Sequence, residues 1–281
     1  MKRRSFFKLG SLAALGSTLV NPIDTFAGNN DISLNSTNKK AKNIIFMVSD
    51  GMSSGTLNLA NMYSNRILGK NSNWLQLYID NKVSRGIMDM ASASSIVTDS
   101  AAASSSWGGG ARVNNGSLNI SPSGEENMPI WQKFKTKGKK AGCVTTVPIT
   151  HATPAGFTVA MKSRNDQSAI AEEYLRIGYD VLLGGGQKYF AAEHRKDKKD
   201  MFTAFAQQNY VVAKNKSDLK NTDKSKKLLG VFDFDALPYE IDRKQSVELT
   251  NSIPTLAEMT EVAINQMKDH KEGFVLQVES G

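Results

Sequence analysis

Asn43-Ile44-Ile45-Phe46-Met47-Val48-Ser49-Asp50-Gly51-Met52 is the stretch whose reading decides the fold of this 281-residue chain. It is apolar and partly β-branched through Val48, too short for a helix of ordinary length, and closed by an acid and a glycine. Such a run predicts a strand buried on both faces. The strand would deliver Asp50 to the carboxyl edge of a sheet, where open α/β folds hold their ligands. A carboxylate there suits a hard cation.

Further runs of the same kind follow at 141–147, 179–183, 210–213, 228–234 and 274–279, with 83–90 read as extended. Between them lie helical patterns at 57–68, 129–138, 168–177 and 254–270, punctuated by Pro129, Gly138, Gly178, Pro254 and Gly273. This alternation predicts an α/β fold: a mostly parallel central sheet with helices on both faces. The polar, charged stretch 215–227 is read as a surface excursion, and no internal repeat is visible. The chain closes two residues after an apolar strand, and it is read as the amino-terminal part of a longer protein, its carboxyl-terminal portion missing.

The start of the chain concerns compartment. Lys2-Arg3-Arg4-Ser5-Phe6-Phe7-Lys8, a short apolar segment and Thr25-Phe26-Ala27 read as an export signal over 1–27, with paired arginines that fit the twin-arginine route. The apolar part is too short for a stable membrane span. A polar linker would occupy 28–41, ahead of a catalytic domain over 42–281. Residues 1–27 carry four Lys/Arg and one Asp, which leaves about +5 of the net charge of +8 for the remainder. That excess falls in clusters such as Arg195-Lys196-Asp197-Lys198-Lys199, without interleaved aromatics, so they read as solvated faces and exclude a nucleic-acid groove. Cys143 is the single cysteine, which excludes an internal disulfide, and its apolar neighbours read as a buried strand.

The chemistry centres on Thr98-Asp99-Ser100-Ala101-Ala102-Ala103. Its pattern starts a helix at Ser100, where backbone N–H groups and the helix dipole favour an anion. The alternative is a small-residue helix packed closely on the sheet. A free serine is a weak nucleophile and needs a metal or a base to activate it; no histidine lies in a triad-like local context, which favours the metal. Arg164, in Lys162-Ser163-Arg164-Asn165, offers a planar fork for two phosphate oxygens. Asp50, Ser100 and Arg164 together point to metal-assisted attack on a phosphate.

A series of ordered motifs carries a resemblance to the bacterial alkaline phosphatases. Residues 44–52 resemble that family's first metal-ligand strand, and Val97-Thr98-Asp99-Ser100-Ala101-Ala102 its nucleophile segment. His151-Ala152-Thr153-Pro154-Ala155 with Ser163-Arg164 is similar to its magnesium-and-arginine segment. Residues 183–190 and 252–260 match in kind and order, and 274–279 resembles the strand whose terminal Glu binds magnesium. The resemblance implies phosphate monoester hydrolysis with Zn2+ and Mg2+. Ser100 would become phosphoserine and contact a metal. Asp50 would bridge magnesium and one zinc, with Thr153 and Glu279 completing the magnesium ligands. Arg164 would clamp the phosphate, Asp99 would orient Arg164, and His151 would stand near the cation where relatives carry Asp or His. Phosphomonoesters and inorganic phosphate would be the ligands, a homodimer is compatible with the likeness, and the location would be periplasmic. The remaining zinc ligands would lie beyond Glu279, so the chain as it stands is expected to be inactive. A phosphodiesterase or sulfatase of the same superfamily, or a non-catalytic exported metal- or anion-binding protein, are the competing readings.

Overall fold

The computed structural model describes residues 41–281; the export signal read at 1–27 and the linker read at 28–41, Ala41 aside, lie outside them. Six strands, β1 (Ile44–Ser49), β2 (Lys140–Pro148), β3 (Val181–Gly185), β4 (Tyr210–Ala213), β5 (Lys227–Val231) and β6 (Phe274–Ser280), make one sheet. Their order is β1-β6-β2-β3-β5-β4, and every neighbouring pair is parallel.

Helices cover both faces, as the alternation predicts. One core joins Val275, Ala141, Cys143, Leu182 and Leu229 to Trp131, Phe157, Ile170 and Phe205. Those four belong to α4 (Ile130–Lys135), α5 (Ala152–Thr158), α6 (Gln167–Ile177) and α7 (Met201–Gln207). The other core sets Val144, Leu183, Leu276 and Val278 against Met259, Ala263 and Met267 of α11 (Leu256–Met267). Thr255 and Glu258 start α11 with reciprocal side-chain-to-backbone bonds, which satisfies N–H groups that a helix start leaves free.

Several expectations are corrected. Strand β6 lies inside the sheet: β1 and β2 flank it in continuous register, and α11, which precedes it in the chain, covers it. The edges are β4 and, against the expectation of burial on both faces, β1. There Ile45 and Met47 stand 44% and 73% exposed, so only its Ile44, Phe46 and Val48 side faces a core. An apolar run cannot by itself distinguish a strand buried on two faces from one buried on one. Residues 83–90 form no ladder. The charged stretch at 215–227 contains α8 (Lys216–Lys220), which buries Leu219 and is capped by Asn215. Arg195, read as solvated, is 1% exposed. It pairs with Glu172 and Asp197 and donates to the carbonyls of Ser168 and Tyr189. Such a charge is tolerated inside only because its donors are met.

Toward the amino terminus, α1 (Ser54–Leu68) and α2 (Asn73–Ile79) form a pair of helices capped by Ser53 and Ser72. Helix α3 (Ser100–Gly108) follows, and α9 (Glu240–Gln245) and α10 (Val247–Ser252) precede α11. No helix among the described residues is long and apolar enough to cross a membrane.

Candidate active site

Parallel strands release their carboxyl ends to one edge of the sheet, and the chemistry-bearing side chains meet there. Asp50 leaves β1 with its N–H donating to Ser280 O at 2.9 Å, which fixes the end of β1 to the end of β6. Glu279 lies in β6, in register with Thr145 of β2. Helix α3 begins at Ser100, and α5 brings Thr153 in its first turn, with His151 at its N-cap.

Asp99 performs several tasks at once. Its Oδ1 caps α3 by accepting from Ala102 N–H at 2.9 Å, which starts the helix at Ser100. Its Oδ2 accepts from Arg164 Nη1 at 3.0 Å and from Gly116 N–H at 3.0 Å. One carboxylate therefore sets both the serine's helix and the arginine's fork.

The Ser100 hydroxyl donates to Asp50 Oδ2 at 2.7 Å, and Thr153 Oγ1 donates to the same oxygen at 3.3 Å. Asp50, Asp99, Ser100, Trp107, Thr153 and Arg164 line a cavity of about 450 Å³. Behind it, Glu279 is fully buried. Thr145 Oγ1 donates to its Oε2 at 2.6 Å, while its Oε1 is buried without a partner. Desolvation raises the Glu279 pKa from 4.5 to about 7; the hydroxyls of Thr145 and Thr153 oppose that rise and the charge of Asp50 adds to it.

Ligand atoms of Asp50, His151 and Glu279 lie within 4.8 Å of one another. With Thr153 beside them, the set consists of hard oxygens and one imidazole. The orphaned Glu279 oxygen is a donor of the kind a magnesium ion takes up. His151 Nε2 stands 3.1 Å from Arg164 Nη2. A guanidinium only donates, so this contact is a hydrogen bond only with Nε2 accepting, as in a neutral ring protonated on the buried, unpartnered Nδ1. Burial, and then the Arg164 charge, hold the His151 pKa below its usual value, against the pull of Asp50 and Asp235.

The structure thus brings Asp50, Asp99, Ser100, His151, Thr153, Arg164 and Glu279 to one place. The other two histidines lie elsewhere: His270 bonds to Gly138 O at 2.8 Å, and His194 packs edge-on against Phe234. Among the described residues the metal-ligand cluster is therefore the single group Asp50, His151 and Glu279. Thr145 was not among the candidates, since a threonine inside an apolar strand reads as packing; only its register with Glu279 discloses it. Asn115 and Gly116 were missed as well, although Asn-Gly is a strong turn signal.

The family model for alkaline phosphatase matches residues 41–281. Alkaline phosphatase 3 of Bacillus subtilis is 37% identical over 190 residues, which span 65% of this chain and 38% of that protein. Alkaline phosphatase 4 of the same organism is 30% identical over 244 residues, 85% of this chain and 50% of that one. The crystal structure of Thermus thermophilus alkaline phosphatase superposes with a TM-score of 0.79 at 35% identity, over 90% of this chain and 54% of that chain. The chain spans about half the length, or less, of these relatives.

Proposed function

Because the chain belongs to the alkaline phosphatase family, we propose that it carries the nucleophile and magnesium side of the site of an exported, periplasmic phosphomonoesterase. The observation that carries this reading is the Ser100 hydroxyl bonded to Asp50 at 2.7 Å at the start of a helix, with Arg164 held beside it by Asp99.

Each residue has a physical task in that reaction. Asp50 accepts the Ser100 O–H, which leaves the lone pairs of Oγ free to face the cavity. The two Nη groups of Arg164 are fixed by Asp99 and His151, so the fork is ordered before a phosphate arrives. The serine oxygen takes the phosphoryl group, the alcohol leaves, and water returns Ser100 and inorganic phosphate. The N–H groups opening α3 favour the anion throughout. Asp50, Thr153 and the free Glu279 Oε1 would hold magnesium, with His151 adjacent; bound cations in this chemistry neutralise phosphate charge and lower the pKa of an oxygen nucleophile. Zinc would draw on Asp50 and on donors that these residues do not include, so the chain by itself is read as inactive. A homodimer belongs to the same proposal.

The test is turnover of p-nitrophenyl phosphate by the full-length gene product with zinc and magnesium, beside a phosphodiester and a sulfate ester. The reading predicts preference for the monoester by at least about a hundredfold, the scale of one well-placed charged contact or two. Equal or better turnover of the diester or the sulfate would replace it.

A further inference from the structure

Between α3 and the Arg164 segment lies a turn, Asn114-Asn115-Gly116-Ser117, closed by Ser117 N–H donating to Asn114 O at 3.1 Å. Gly116 takes φ +85°, where a side chain would be strained, and so permits the turn. Five bonds radiate from Asn115 and Gly116. Asn115 Oδ1 accepts from Asp99 N–H at 3.1 Å, and Asn115 Nδ2 donates to Val97 O at 2.9 Å. Asn115 N–H donates to Ser94 Oγ at 3.0 Å. Gly116 N–H donates to Asp99 Oδ2 at 3.0 Å, and Gly116 O accepts from Arg164 N–H at 2.8 Å.

We infer that Asn115 is a positioning residue, the centre of a clamp that sets the Ser100 nucleophile and the Arg164 fork relative to each other; this rests on the function proposed above. The segment it grips has little else to hold it, because Ile96 and Val97 are 91% and 72% exposed and bury almost nothing. The Asn115 amide is the side chain that ties that segment to the turn. It binds both flanks of Thr98, one residue before the Asp99 N-cap, while the backbone of the next residue ties down Asp99 Oδ2 and Arg164. Because Asn115 is itself exposed and outside both cores, its removal opens no cavity. Its effect should fall on geometry at the site and not on global stability.

The experiment compares wild type, Asn115→Ala and Asn115→Asp in the full-length gene product by steady-state kinetics, thermal melting and hydrogen exchange. Asn115→Ala is expected to lower kcat by about 10–100-fold, the range in which small misplacements act. The KM for p-nitrophenyl phosphate should move less than about threefold, and Tm by no more than about 1 °C, consistent with a surface change. Exchange should speed up over 97–103 and 162–166 only. Asn115→Asp keeps an acceptor for the Asp99 N–H and loses the donor to Val97 O, so it should lie between the other two in kcat and in exchange. Unchanged local exchange in Asn115→Ala, exchange raised uniformly along the chain, or an Asp variant no better than Ala overturns the clamp. If Asn115→Ala does not fold, the Asp variant decides alone: local acceleration supports the clamp, and wild-type exchange overturns it. A wild type without phosphomonoester turnover would defeat the proposed function, while the exchange arm would still decide the clamp.

Discussion

Arg164 is the residue at which binding and folding separate most cleanly. Replacing it with Ala leaves Asp99 with its cap to Ala102 and its bond to Gly116, so α3 keeps its start. What the proposed function would lose is a forked contact to a phosphate, on the order of 1.5–3 kcal/mol for a charge-assisted bond. Arg164→Ala is therefore expected to lower kcat/KM roughly 10–100-fold and to weaken inhibition by inorganic phosphate, with Tm nearly unchanged; phosphate inhibition constants check it. Glu279 makes a prediction about pH. Its folded pKa of about 7 lies above its ordinary 4.5, so the folded state holds the proton more tightly. Below about 4.5 the contribution to stability is fully present, and it is lost as pH rises to about 7. A cation at Glu279 must displace that proton, so magnesium should raise Tm more at pH 8 than at pH 5.5. Melting curves with and without magnesium test the sign, and an equal gain at both values would remove Glu279 from the metal site. Thr145→Val deletes the 2.6 Å bond that turns Glu279 Oε1 free, and should weaken the magnesium-dependent gain in Tm. Most of these residues were legible in sequence because they sit in ordered motifs at strand ends and helix starts. Thr145 and Asn115 were not, because their partners lie 134 and 16–18 residues away and only the fold brings them together.

At the scale of elements, the crossing of α3 and α5 sets the distance between Ser100 and Thr153, the nucleophile and one magnesium ligand of the proposed function. A Cβ on Gly108 would meet Gly156 O at 2.1 Å, and one on Gly156 would meet Ser104 Oγ at 2.1 Å. Ser104 also donates to Ala152 O at 2.9 Å across the crossing. The small-residue reading of 98–103 and the anion reading therefore hold together: close packing of α3 is what brings Ser100 beside Thr153 and Asp50. Gly108→Ala should cost about 1–3 kcal/mol, as overpacking does, and lower turnover by displacing Ser100; denaturant unfolding with kinetics checks both. Helix α5 escaped the sequence reading because Pro154 and Gly156 argue against a helix, yet the proline falls in the first turn, where its missing N–H is harmless. Helices α2, α7, α9 and α10 are six or seven residues long, too short for a period to show. Longer patterns, α1, α6 and α11, were legible to within a few residues.

For the whole molecule, the strands were legible as a parallel set but their order was not. Placing β6 between β1 and β2 pairs it with a strand more than two hundred residues away, β1, and no local pattern encodes that. The same pairing puts Asp50 beside Glu279, so the proposed magnesium side of the site depends on the assembly of the sheet. Residues 28–281 expressed alone are expected to be inactive with excess zinc and magnesium, because His151 is the one histidine they bring to the site. Turnover equal to that of the full-length gene product would refute this. The central claim is that Ser100 takes the phosphoryl group. The most direct measurement is acid quenching of the full-length gene product during turnover of a phosphomonoester, followed by peptide mass spectrometry. The account predicts phosphate on Ser100 in the wild type, and neither phosphopeptide nor turnover in Ser100→Ala. Phosphate on another residue, or near wild-type turnover by Ser100→Ala, would contradict it.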